Sequence, residues 1–123
     1  MFAINKDMSL HLTRGDAISF SLVADADGSN YIFHPGDVVR LTIYGKKAAE
    51  NVVLQKDFPV NAETEYVVIS LTSDETKIGE TISKPTDYWY EIELNPDNEP
   101  QTIVGYDEDG PKVFRLYPEG DAA

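Results

Sequence analysis

The chain has 123 residues and a formal charge of −12, from 22 acidic side chains against 10 basic ones, which is one domain's length and strongly acidic. That balance argues against non-specific nucleic-acid binding and against anionic membrane surfaces, both of which depend on Lys and Arg. With no cysteine, disulfides, thiolate metal sites and a cysteine nucleophile are excluded, while 41% hydrophobic and 11% aromatic residues are a globular composition rather than a disordered one.

Alternation with period two recurs along the chain and helical periodicity is nearly absent, so the expected elements are strands. Met8, Leu10 and Leu12 alternate with Ser9 and His11; Ile18, Phe20 and Leu22 alternate with Ser19 and Ser21. Asp25-Ala26-Asp27-Gly28-Ser29-Asn30 and then His34-Pro35-Gly36-Asp37 are turns, because Gly and Asn accept positive φ and Asp caps its own backbone. Val39, Leu41 and Ile43 make the next strand, followed by a fainter one near Val52–Lys56. Val67, Ile69 and Leu71 point one way, with Tyr66, Val68 and Ser70 opposite. Thr72-Ser73-Asp74-Glu75 reads as a capping box with Gly79 as a stop, which predicts one short helical turn. Tyr88, Tyr90, Ile92 and Leu94 then alternate with Trp89, Glu91 and Glu93, and Tyr88 is placed to act as a tyrosine corner. Asn95-Pro96-Asp97-Asn98 breaks the chain before fainter strands near Gln101–Tyr106 and Val113–Tyr117, separated by the tip Asp107-Glu108-Asp109-Gly110-Pro111.

Half-buried alternating strands imply antiparallel pairing, and no helix is long enough for a parallel crossover. The expected architecture is all-β: an immunoglobulin-like antiparallel β-sandwich of about 7–9 strands, in one domain spanning 1–123. The tails Met1–Asp7 and Glu119–Ala123 are expected to order only against something else. Met1–Arg14 has no basic region or apolar run of signal-peptide kind, and nowhere do roughly 18 apolar residues run together, so a soluble chain without an export signal is expected.

The acidic tips suggest a cation, with Asp25, Asp27, Asp107 and Asp109 as candidate ligands. Neither tip has the spacing of a calcium loop, however: Gly28 comes too early, no Glu closes it, and Pro111 follows Gly110. The plainer reading is turn chemistry, and no metal or cofactor is assigned. Arg14-Gly15-Asp16 spells an integrin-binding tripeptide, but it falls between strands where a tight turn wants Gly. Catalysis is not expected. His11 and His34 are the only imidazoles, no serine sits in a strand–turn–helix elbow, and no Gly-rich phosphate cradle exists. Glu91 and Glu93, about 7 Å apart on one strand face, lack the opposed placement across a cleft that glycoside hydrolysis needs.

The outward faces carry more. Trp89, Tyr44 and Tyr117 fall on the side opposite the core, and neighbouring strands would join them into an aromatic patch rimmed by Arg40, Glu91 and Arg115. The alternative is that a loop or the N-terminal segment, with Phe2 and Ile4, covers them. Edge strands such as Val52–Lys56 are a further docking candidate.

Leu12-Thr13-Arg14-Gly15-Asp16 followed by Phe20, Gly36-Asp37-Val38-Val39-Arg40-Leu41-Thr42-Ile43, Ile69-Ser70-Leu71-Thr72-Ser73-Asp74-Glu75-Thr76, Tyr88-Trp89-Tyr90-Glu91-Ile92-Glu93-Leu94 and Val113-Phe114-Arg115-Leu116 occur in that order. Together they resemble the immunoglobulin-like domains of phage and prophage tail proteins, especially the N-terminal domain of siphophage upper baseplate proteins. The resemblance implies a non-catalytic structural or assembly module without a cofactor. It would be made in the bacterial cytoplasm and become virion-associated by contact with other tail or baseplate subunits or with itself. That family's domain normally continues into further segments, and this chain stops, which points to an accessory subunit. A carbohydrate-binding or calcium-dependent adhesion module is the alternative.

Overall fold

The computed structural model describes residues 2–26, 28–47, 50–108 and 110–119. They form an all-β structure of eleven strands: β1 Phe2–Ile4, β2 Leu10–Thr13, β3 Ile18–Leu22, β4 Asp25–Ala26, β5 Ser29–Asn30, β6 Val38–Lys46, β7 Glu50–Pro59, β8 Val67–Leu71, β9 Thr86–Leu94, β10 Gln101–Val104 and β11 Lys112–Tyr117. A seven-stranded sheet runs β1-β2-β11-β9-β6-β7, with β10 also beside β9; β3 pairs with β8, and β4 with β5.

The alternation explains the core. Val39, Leu41 and Ile43 of β6, Tyr90, Ile92 and Leu94 of β9, and Phe114 and Leu116 of β11 are buried on one face of the large sheet. They share one hydrophobic cluster with Ile18 and Leu22 of β3 and Val67, Ile69 and Leu71 of β8. Phe33, fully buried, joins that cluster from a bridge with Thr64, the two residues exchanging both backbone hydrogen bonds. Lys56 crosses from β7, its ammonium donating to the Ser70 carbonyl (2.9 Å) and to Glu75 (2.8 Å).

Three local expectations change. β2 pairs with β11 in parallel, Leu10 beside Phe114 and Leu12 beside Leu116, so the large sheet is mixed rather than antiparallel. No crossover helix is needed, because nearly the whole chain separates these two strands. β2 begins at Leu10 and not Met8, whose φ of +67° belongs to a turn closed by the Met8 N–H donating to the Asn5 carbonyl. The segment before that turn is itself a strand: β1 pairs with β2, and Phe2 stacks on Phe20 with ring centroids 6.0 Å apart.

No helix occurs among the described residues. Thr72 and Glu75 do make the reciprocal bonds of a capping box, Glu75 N–H to Thr72 Oγ1 and Thr72 N–H to Glu75 Oε1. The backbone makes one i→i−4 bond, from Thr76 to Thr72, before Lys77 reverts to an i→i−3 bond to Asp74. The segment is therefore a turn. Tyr88 makes no tyrosine corner among the described residues; on this strand it is the Tyr90 hydroxyl that donates to a distant backbone carbonyl, that of Met8, at 2.6 Å. Tyr88 packs against the core, its hydroxyl close to Gly79.

Arg14 is buried, its guanidinium donating to the carbonyls of Ile78 and Gly79. The Arg-Gly-Asp tripeptide thus presents no free arginine, and its Arg belongs to the fold.

Candidate functional site

The register of the large sheet fixes its outward face row by row. Trp89 and Tyr44 are direct cross-strand partners, and Val113 on β11 and Val52 on β7 extend their row to either side. Both aromatic side chains are half-buried. The Tyr44 hydroxyl donates to Glu91 Oε1, and burial together with this bond pushes the phenol above its usual range. The N-terminal segment leaves this row uncovered, since β1 lies at the far edge of the sheet beyond β2.

The other sequence-selected residues stand apart from this pair. Arg115 lies in the adjoining row, bound in a fork to Asp87 (Nε 2.5 Å, Nη2 3.1 Å). Tyr117 is four residues along β11 from Val113, about 13 Å at strand rise. Its hydroxyl lies 3.0 Å from His11 Nδ1. Arg40 is four residues from Tyr44 in the opposite direction, forked onto Asp57 and reaching Asp97 at 3.2 Å. All five share one face, but the aromatic pair is central, the two arginines are committed to carboxylates on either side, and Tyr117 is peripheral.

An aromatic-walled cleft of about 200 Å³ opens beside the central pair, and sequence periodicity does not reveal it. β10 and β11 follow one another along the same side of β9: Gln101–Val104 pair with its end and Lys112–Leu116 with its beginning. Between them the described residues 105–108, 110 and 111 leave the sheet, and Tyr106 and Pro111 line the cleft together with Trp89 and Tyr44. Tyr106 is 79% exposed. The loop closes on a bridge between Asp107 and Gly110 and is tethered by the buried Lys112, whose ammonium binds Asp107 at 2.8 Å. At its departure point a Cβ on Gly105 would stand 2.6 Å from the methyl of the exposed Thr102, so a larger residue there fits only if that side chain rotates away. The turn composition marked the loop, but only the placement of both strands against β9 brings it to Trp89.

Glu93, one outward step from Glu91, is held above the usual carboxylate range by burial and then by the Glu91 charge, with Arg40 opposing. A raised folded pKa means that the fold favours the protonated form. Its stabilising contribution is complete below the unfolded value near 4.3 and is lost as pH rises through the folded value. Glu93→Gln is therefore expected to melt about 1–3 °C higher than wild type at pH 7, with the gap closing toward pH 4, in thermal melts followed by circular dichroism. Asp57, Asp87 and Glu75 have the opposite sign, each held down chiefly by its cationic partner. Their contribution is present at neutral pH and fades as pH falls through their lowered values.

Ser9, His11 and Asp7 meet at the other end of the face. Ser9 Oγ is 2.6 Å from Asp7 Oδ1 and 2.9 Å from His11 Nε2. In a nucleophilic triad the carboxylate orients the histidine, whereas here it holds the serine hydroxyl and the other imidazole nitrogen meets Tyr117. The arrangement braces the β1–β2 turn. Among the cation candidates, Asp25 is exposed on β4 and Asp107 is bound to Lys112, while Asp27 and Asp109 lie outside the described residues. Among the described residues no three metal-ligating side chains gather, and no helix is long and apolar enough to cross a membrane.

Compared with protein-family models, curated proteins and solved structures, the chain matches none.

Proposed function

We propose that this chain is an immunoglobulin-like β-sandwich domain that serves as a non-catalytic docking module, its contact surface centred on Trp89 and Tyr44. The strand order supports the fold: β11, β9 and β6 with β7 beside them correspond to one immunoglobulin sheet, and β3 with β8 to the central pair of the other. The observation that carries the function is the cross-strand aromatic pair on the outward face, open beside a cleft and flanked by ion-paired arginines. Aromatic anchors set in a polar rim are the usual centre of a protein interface. The resemblance in strand motifs to siphophage upper baseplate domains supports a phage or prophage tail accessory, virion-associated through its partner subunits.

Co-expression with the proteins encoded beside its gene tests this reading. A stoichiometric complex, or a self-assembly, is expected with wild type and lost with Trp89→Ala, while the variant keeps its far-ultraviolet spectrum. A complex indifferent to Trp89→Ala, or no complex and no self-association at all, contradicts it. The aromatic walls of the cleft also favour a second reading, a carbohydrate-binding module, since sugar rings stack on such side chains. Retention on host cell-wall polysaccharide that depends on Trp89 would select it.

A further inference from the structure

We infer that the cleft beside Trp89 receives a cationic side chain, an arginine or lysine carried by a basic segment of a different protein. This rests on the docking reading and gives the contact its chemistry. Trp89, Tyr44, Tyr106 and Glu91 line one small opening together, and Glu91 Oε1 accepts the Tyr44 hydroxyl there. Aromatic faces attract cations, and a carboxylate at the same opening adds to that attraction.

The charges around the cleft favour a cation from outside. Glu91 receives the Tyr44 hydroxyl, and neither Glu91 nor Glu93 has an ion-pair partner among the described residues. Two arginines share this face, but Arg40 is committed to Asp57 and Asp97 and Arg115 to Asp87. Of the two lysines at the cleft, Lys112 is neutralised by Asp107. Lys47 stands exposed at the turn after β6 and is the intramolecular rival for the same space. The volume of about 200 Å³ suits one side chain rather than a whole ligand of drug size. A net charge of −12 draws a basic chain from a distance and weighs against a second copy of this one in the cleft, which favours a basic segment of another protein as the occupant even where copies also assemble.

Trp89 is the sole tryptophan, so its fluorescence reports on the cleft directly. The probes are N-acetyl-argininamide and its neutral counterpart of the same shape, N-acetyl-citrullinamide, titrated into the full chain. The arginine compound is expected to give a saturable change with Kd on the order of 1–10 mM, and the citrulline compound to bind at least about fivefold more weakly. Glu91→Gln, which keeps the acceptor for Tyr44, is expected to weaken the arginine compound about fivefold, and Lys47→Ala to strengthen it. Equal responses to both compounds, or no saturable response from protein with a wild-type melting curve, would overturn the inference. If it falls while Trp89→Ala still abolishes the protein complex, only the cationic pocket is lost. If Trp89→Ala leaves the complex intact, the docking reading falls whatever the titration shows.

Discussion

Arg14→Ala is expected to destabilise the protein by about 3–5 kcal/mol, the cost of breaking a buried charged network by removing one partner. The guanidinium donates to the carbonyls of Ile78 (3.1 Å), Gly79 (2.7 Å) and Lys77 (3.3 Å) and pairs with Glu119 at 2.9 Å. These contacts tie the end of β2 to the chain that leads into β9 and to the segment after β11. Alanine leaves the carbonyls and the carboxylate without their donor in a place where water reaches only part of them. For a chain of this length the loss corresponds to roughly 10–20 °C in Tm, a large fraction of a typical total stability. Lysine keeps the charge but offers one nitrogen where arginine offers three, so Arg14→Lys is expected to recover only part of the loss. Thermal melts of the three proteins check this, and an Arg14→Ala protein within about 1 kcal/mol of wild type would mean that the network contributes little.

Phe114→Ala is expected to cost a similar amount, about 3–5 kcal/mol, by a different mechanism. Phe114 is fully buried in β11, between Leu10 of the parallel strand β2 and Tyr88 of the antiparallel strand β9. Truncation removes a ring's worth of buried apolar surface and leaves a cavity that rigid strands on both sides cannot close. Phe114→Leu keeps much of the volume and is expected to lose less than half as much. Val52→Ala, at a side chain 53% exposed in the same sheet, is the internal control and is expected to stay within about 0.5 kcal/mol of wild type. In urea unfolding the midpoint should fall steeply for Phe114→Ala at unchanged m, and an equal fall for Val52→Ala would contradict this account of where the core lies.

Strands that bury one face were legible in the sequence. Val39–Ile43, Val67–Leu71 and Tyr88–Leu94 alternate because their inward residues meet the shared core and their outward residues do not. β7 was legible only in part, since all ten of its residues are exposed or half-buried and neither face imposes a strong pattern. β1 has three residues, too few for a period to register, and its order comes from pairing with β2 and from the Phe2–Phe20 stack. The parallel contact of β2 with β11 could not be read, because pairing between distant segments leaves no local mark. The Thr72–Glu75 capping box formed, yet the chain turns away after one i→i−4 bond, with Gly79 at φ +66° and Ile78 directed into the core.

The same distinction explains the candidate site. Phase along each strand groups Trp89, Tyr44, Tyr117, Arg40 and Arg115 on one face, but phase carries no register. Cross-strand pairing sets Trp89 against Tyr44 and places Arg40 and Tyr117 at opposite ends. Tyr106 entered through the third dimension alone, on a loop that interrupts two strands running along one side of β9.

The proposed docking role is tested most directly by the affinity of the chain for a protein that co-purifies with it on co-expression, wild type against Trp89→Ala, both folded. An interface anchored on this side chain predicts a Kd weakened by about thirtyfold or more, as expected of a central aromatic hot spot. A Kd within about twofold of wild type would contradict it and move the contact surface elsewhere on the molecule.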